Sequence, residues 1–332
     1  RMSLKVPHRN PKRGVIGATE NPMTEILCPD PAGNARAALL LQQGGLVALP
    51  TETVYGLGAD ARNSAAVARI YEAKGRPSFN PLIIHVADVA QARRYARWSD
   101  LAQNLADGFW PGPLTLVLPL TSHHGLSSLV TAGLDSVAIR VPAHPTARAI
   151  LERFGGPVAA PSANPSGKIS ATTAAHVRNG LDGRIDAIVD DGPCAVGLES
   201  TIIGLTARHP LLLRAGGVSV EAIEARLGSA LDSANGADII APGQLASHYA
   251  PHASVRLNAT KAEPDEVMLG FADIAGDISL STTGNLTEAA ACLFDRLHEL
   301  DALRKPIAVA PIPNHGLGRA INDRLRRAAA PR

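Results

Sequence analysis

Short aliphatic runs that stop abruptly at polar islands rich in proline or glycine recur along this chain, and the stretches between them place apolar residues at helical spacing. Leu46-Val47-Ala48-Leu49 ends at Pro50. Leu82-Ile83-Ile84-His85-Val86 follows the island Lys74-Gly75-Arg76-Pro77, and Pro157-Val158-Ala159-Ala160 leads into Pro161-Ser162-Ala163-Asn164-Pro165. Runs this short read as buried strands, and the helical periods between them supply the layers that cover the strands. Only 3% of the residues are aromatic. The core must therefore come from Val, Leu, Ile and Ala, which suits layered α/β packing better than an aromatic-rich β-sandwich.

Helices are expected over 32–43, 64–73, 89–96, 146–154, 173–178 and 220–227, and strands over 46–49, 82–86, 114–118, 137–141, 158–160, 187–190, 200–204 and 211–214. The chain's 332 residues exceed what one hydrophobic core usually serves, so two domains are expected. Residues 1–23, basic and without periodicity, read as disordered, and 24–230 as a large α/β domain with a mixed sheet. A Ser/Gly/Ala-rich stretch opens a linker over 231–252. A small α/β domain follows over 253–332, with strands at 254–257, 267–270 and 306–310 and helices at 286–300 and 318–329.

A formal charge of +2 excludes a polycationic nucleic-acid arm on the scale of the chain. Cys28, Cys194 and Cys292 are odd in number and far apart, which argues against a disulfide framework and a zinc site and fits a reducing cytoplasm. No run approaches the roughly 20 apolar residues of a membrane span, so a cytoplasmic protein with no membrane association is expected.

Polar groups at strand ends can face a cavity, and Lys74 and Arg76 would make that cavity attractive to phosphate or carboxylate. A solvated helix end between Gly75 and Pro77 accounts for the same two cations. Ser162 to Ile169 imitates a P-loop at Gly167-Lys168, but Ser162 replaces the first glycine and Ile169 the magnesium-binding hydroxyl. A proline-bounded turn explains that segment equally well. His85, within an apolar strand, is either a satisfied core residue or a ligand contact. Arg140, in Val137-Ala138-Ile139-Arg140-Val141, needs an anionic partner, either a substrate carboxylate or a structural Asp or Glu. His248 and His252 stand four apart, but Pro251 between them prevents the helix that would let them share a metal; no metal is expected on protein side chains.

Taken together, Leu49-Pro50-Thr51-Glu52-Thr53-Val54-Tyr55-Gly56-Leu57-Gly58, Lys74-Gly75-Arg76-Pro77, Asn80-Pro81-Leu82, Trp110-Pro111-Gly112-Pro113-Leu114-Thr115, Ala138-Ile139-Arg140-Val141-Pro142, Pro161-Ser162-Ala163-Asn164, Leu198-Glu199-Ser200-Thr201 and Leu213-Arg214-Ala215-Gly216 closely resemble the L-threonylcarbamoyladenylate synthase family. His248-Tyr249-Ala250-Pro251 and the α/β tail resemble its long, two-domain form. The resemblance implies a large mixed-sheet α/β catalytic domain joined by a linker to a smaller Rossmann-like α/β domain. It also implies a nucleotidyltransferase that joins L-threonine, bicarbonate and ATP, with Mg2+ on the ATP, and releases pyrophosphate. The product would feed a tRNA threonylcarbamoyl-transferase complex.

By resemblance, Lys74, Arg76, Ser162 and Asn164 form the central catalytic constellation. Thr53, His85, Arg140, the Ala160 backbone and Ser200 line the threonine pocket, and Arg76, Asn80, Ser136, Ser162, Ser170 and Arg214 hold ATP. Tyr249 would reach over the nucleotide as a lid. Gln244-Leu245-Ala246-Ser247 departs from the more basic residues expected ahead of His248. Two alternatives share the fold: a protein that binds double-stranded RNA, if weakly, and a carbamoyl-transfer module.

Overall fold

The computed structural model describes residues 23–233 and 248–331, so 1–22 of the stretch 1–23 expected to be disordered, and 234–247 of the expected linker with its atypical segment 244–247, lie outside the described residues. The large domain holds one mixed sheet of β1 (Glu25–Leu27), β2 (Val47–Leu49), β3 (Gly56–Asp60), β4 (Ile83–His85), β5 (Leu114–Pro119), β6 (Ser136–Arg140), β7 (Val158–Ala159), β8 (Ala187–Val189), β9 (Thr201–Gly204), β10 (Leu211–Arg214) and β11 (Asp232–Ser233). Their order across the sheet is β1-β8-β2-β3-β7-β4-β6-β5-β9-β10-β11. Around it lie α1 (Pro31–Gln42), α2 (Ser64–Lys74), α3 (Val89–Ala92), α4 (Asp100–Phe109), α5 (Ser128–Thr131), α6 (Pro145–Phe154), α7 (Ala174–Leu181) and α8 (Val220–Leu227).

Strand alternation explains the layers. Leu46 and Ala48 face a core built with Val67 and Ile70 of α2 and Val177 of α7. Val47 and Leu49 face the opposite way, against Leu41 of α1 and Ile150 of α6. Strands buried on both faces read as unbroken aliphatic runs, which is why they were legible. Local signals set the helix ends: Asp30 caps α1 by accepting from the Gly33 N–H, Asn63 caps α2, and Gly75 closes α2 at φ 60°, the left-handed conformation glycine tolerates.

The smaller domain has four parallel strands, β12 (Val255–Arg256), β13 (Val267–Gly270), β14 (Ile278–Ser279) and β15 (Ile307–Val309), ordered β12-β15-β13-β14. Helices α9 (Leu286–Ala302) and α10 (Gly318–Ala329) accompany them. Its core includes Leu293, Phe294 and Leu297 of α9 and Ile321 and Leu325 of α10, and it continues into Val54, Ile169 and Leu198 of the large domain. The backbones meet closely there. A Cβ added at Gly197, itself at φ 71°, would lie 2.3 Å from the Ala291 carbonyl oxygen.

Several elements differ from the sequence expectation. β1, β3, α4, α5 and β14 were not anticipated, α3 stops at Ala92 rather than 96, and β11 extends the large sheet two residues into the span read as linker, pairing beside β10.

Candidate active site

Period-two alternation builds the site on one face of the sheet. β4 and β6 run parallel with Ile83 beside Ala138 and His85 beside Arg140. β5 places Val117 against Ala138, and Thr115 lies beside Ile202 of β9. Ile83, Val117, Ala138, Ile202 and Leu213 make a small apolar floor. The polar residues surround it: Arg76, His85, Arg140, Ser162, Glu199, Ser200, Arg214, His248 and Tyr249 all line one cavity. Thr51, Thr53 and the Ala160 segment complete its wall.

At one end Arg140, only 3% exposed, donates from Nη2 to Glu52 Oε1 at 2.6 Å, from Nη1 to Thr53 Oγ1 at 2.8 Å and from Nε to the Gly112 carbonyl at 3.2 Å. Its anionic partner is thus a structural glutamate. A guanidinium has five N–H donors, so one on each Nη remains for a ligand. Burial alone would raise the Glu52 carboxyl, but the charge and hydrogen bond of Arg140 hold it below the ordinary value. His85 is 5% exposed and its Nδ1 has no hydrogen-bond partner. Burial, reinforced by the Arg140 charge, pushes its pKa down to about 3, so the ring is neutral at physiological pH. Ser200 Oγ shares a 2.7 Å hydrogen bond with Thr115 Oγ1.

At the other end, β7 runs antiparallel to β4, so the chain from Ala160 to Ser162 descends beside Ile83 toward Pro81. Arg76 donates from Nη2 to the Pro81 carbonyl at 3.0 Å, and burial lowers its pKa to about 10, leaving it cationic. Lys74 is 3% exposed and does not line the cavity; its Nζ donates to the carbonyls of Ser162 at 2.6 Å and Asn164 at 2.5 Å. Burial and the neighbouring Arg76 charge lower its pKa strongly. Asn80 is buried with both side-chain polar atoms unpartnered, and Asn164 Oδ1 is likewise unpartnered. Buried polar groups without partners are uncommon, but neither asparagine is in the cavity lining.

Arg214 donates from Nε and Nη2 to the Ser200 carbonyl and from Nη2 to Ser200 Oγ. The tight packing behind it needs Gly216, where a Cβ would lie 2.2 Å from the Glu199 carbonyl oxygen. Ser170 does not line the cavity; its Oγ donates to Glu199 Oε1 at 2.5 Å. Ser136 opens β6 opposite Pro119, at the Arg76 end of the sheet, and is also outside the lining. The sequence motifs contained Glu52, Thr115 and Glu199 but gave them no separate part, and His248 was weighed only as a metal partner of His252. Among the described residues, no group of three His, Cys, Asp or Glu is placed to hold a metal ion.

Tyr249, 1% exposed and at φ 61°, completes the lining from the segment that leads into the small domain. Its ring centroid is 4.1 Å from that of His248 and 5.5 Å from that of Phe294 in α9. Burial pushes the His248 pKa down to about 3.

A cationic cavity on one face of a mixed sheet, covered by a strap that leads into a second domain, defines a class: α/β enzymes that enclose small anionic substrates. The family model described as telomere recombination, Sua5/YciO/YrdC, matches residues 39–216, and the model for the threonylcarbamoyl-AMP synthase C-terminal domain matches residues 218–330. The chain belongs to the threonylcarbamoyl-AMP (L-threonylcarbamoyladenylate) synthase family in its two-domain form. It is 42% identical to the threonylcarbamoyl-AMP synthase of Bacillus subtilis (strain 168), over 97% of this chain and 98% of that one. The crystal structure of Pyrococcus abyssi Sua5 complexed with L-threonine is similar at TM-score 0.86 and 38% identity, covering 92% of this chain and 98% of that one. Full-length HypF in a phosphate- and nucleotide-bound form shares only the fold, at TM-score 0.50 and 18% identity, covering 56% of this chain and 29% of that one.

Proposed function

We propose that this chain is a nucleotidyltransferase that makes L-threonylcarbamoyladenylate from L-threonine, bicarbonate and ATP. The observation that carries the reading is one cavity with a guanidinium at each end, buried Arg140 and half-buried Arg76, and a third, buried Arg214, on its wall. Threonine binds at the Arg140 end, its carboxylate on the two spare Nη donors, with Thr53, neutral His85, the Ala160 backbone and Ser200 around its remaining polar atoms. ATP binds at the Arg76 end, between Ser162, Arg214 and the Asn80–Ser136 end of the sheet, beneath Tyr249. Lys74 acts from behind, fixing the Ser162–Asn164 loop through its two carbonyl contacts.

The threonine amine attacks the bicarbonate carbon, forming the N–C bond with loss of water. A carbamate oxygen then attacks the α-phosphorus, the new O–P bond forms and the bridging P–O bond to pyrophosphate breaks. The protein contributes positioning and charge neutralisation rather than a covalent intermediate. The ATP phosphates would hold Mg2+, which would supply charge neutralisation there; Glu52 and Glu199 are each paired with an arginine. The adenylate then passes to a tRNA threonylcarbamoyl-transferase complex, in a cytoplasmic setting. Among the described residues no helix is long and apolar enough to cross a membrane.

Pyrophosphate release from MgATP, measured with threonine and bicarbonate omitted in turn, tests the reading. Release that requires both supports it. Release that continues without threonine would replace it with a carbamoyl-transfer module, and salt-sensitive binding of double-stranded RNA without any release would replace it with an RNA-binding protein.

A further inference from the structure

We infer that Arg324, on α10 of the small domain, is a positioning residue of the active site, acting on the nucleotide end of the cavity through Glu199 and Tyr249. Arg324 is 0% exposed. Its Nε donates to Glu199 Oε2 at 2.7 Å, its Nη1 to Asp323 Oδ2 at 2.8 Å, and its guanidinium carbon lies 5.2 Å from the centroid of the Tyr249 ring. Its Nη2 has no partner. The inference rests on the assignment of ATP to the Tyr249 side of the cavity.

Adhesion between the domains does not account for this arrangement. A buried ion pair contributes little net stability compared with apolar residues of the same volume, and an orphaned buried donor subtracts from it. The interdomain core around Leu198, Phe294 and Leu297 already supplies the apolar contact. What distinguishes Arg324 is where its partners stand: Glu199 and Tyr249 both line the cavity, and Arg324 does not.

Tyr249 also needs holding. A non-glycine residue at φ 61° persists only where its surroundings over-determine it. The His248 N–H donates to the Arg327 carbonyl of α10 at 3.3 Å, and the Ala250 N–H donates to the Gly167 carbonyl of the large domain at 2.9 Å. The strap is therefore pinned between the domains, with Arg324 against the face of its aromatic ring. The same guanidinium fixes Glu199. Burial alone would raise that carboxyl, but Arg324 and Arg214, with the Ser170 hydrogen bond, hold it at about 2. Arg324 thus sets both a fixed negative charge on the cavity wall and the seat of its cover.

Steady-state kinetics of Arg324→Met and Arg324→Lys, with melting temperatures, test the inference against Leu297→Ala, which loosens the interdomain core without touching the network. Arg324→Met is expected to raise the ATP KM about tenfold while the threonine KM stays within about twofold, with Arg324→Lys recovering part of the loss and Leu297→Ala lowering the melting temperature without that selectivity. If Arg324→Met fails to fold, Glu199→Gln/Arg324→Met removes both charges and carries the same expectation. An active wild type whose Arg324 variants leave both KM values unchanged, or shift them together as Leu297→Ala does, overturns the role of Arg324. A wild type without threonine-dependent pyrophosphate release overturns instead the functional reading beneath it.

Discussion

Arg140 shows what one residue reveals and what it hides. An arginine in so apolar a strand announced an anionic partner, but that partner, Glu52, lies 88 positions away and nothing in either local sequence pairs them. Only the fold does. Arg140→Lys keeps the charge opposite Glu52 but loses the fork, so the protein should fold while the threonine KM rises about thirtyfold, the effect of about 2 kcal/mol. An unchanged KM in the pyrophosphate assay would remove Arg140 from the threonine end. Arg324 was illegible for a different reason: the sequence of α10 carries arginines at 319, 324, 326 and 327, and no local signal marks which of them is fully buried.

Histidines make a second residue-scale expectation. Burial holds His85 and His248 at about 3 and His176 at about 4, all below the free imidazole value of 6.5. The unfolded chain therefore binds more protons than the folded one as pH falls below 6.5. The stability these groups contribute is complete above that value and declines toward pH 4, by up to about 1.4 kcal/mol per pH unit for each histidine. Below about pH 4.5 Glu199 adds to the loss, since its folded value near 2 lies under its free value of 4.5. Urea midpoints measured from pH 8 to 5 should be level and then fall; a flat profile throughout would contradict the neutral, buried assignment.

At the scale of elements, strands buried on both faces were legible and those built from small residues were not. β3 reads Gly56-Leu57-Gly58-Ala59-Asp60, with no aliphatic run, because a Cβ at Gly58 would lie 2.9 Å from Val158 Cγ1 and 3.1 Å from the Val47 carbonyl oxygen. The close fit to neighbours on both sides removes the side chains that would have signalled a strand. α4 was missed similarly, since two of its three buried residues are Ala102 and Ala106. Two glycines separate local strain from crowding. Gly75→Ala adds a methyl with nothing within 4 Å at φ 60° and should cost about 1 kcal/mol in urea unfolding, without a large loss of activity. Gly216→Ala drives a Cβ into the Glu199 carbonyl, so it must displace β10 from Ser200 and should lower pyrophosphate release as well as stability. Equal, mild effects for the two would show that the backbone around Gly216 relaxes freely.

On the scale of the molecule, the sequence reading of two domains joined by a linker did not say how they meet; Val54, Ile169 and Leu198 share a core with α9 and α10. Apolar periodicity places residues on faces but does not say which faces of distant elements meet. Gly197→Ala, at φ 71° and against the Ala290 and Ala291 carbonyls, should wedge the domains apart, with a larger radius of gyration in solution scattering and reduced activity. An unchanged radius with full activity would mean the seam yields without opening. The cavity's choice of cations has a further consequence. A carbamoyl adenylate is a mixed anhydride that acylates free amines, and the cations lining this cavity are guanidiniums, which are poor nucleophiles, while the amine of Lys74 is turned away onto two carbonyls. The cavity lining thereby offers that product no lysine amine to acylate.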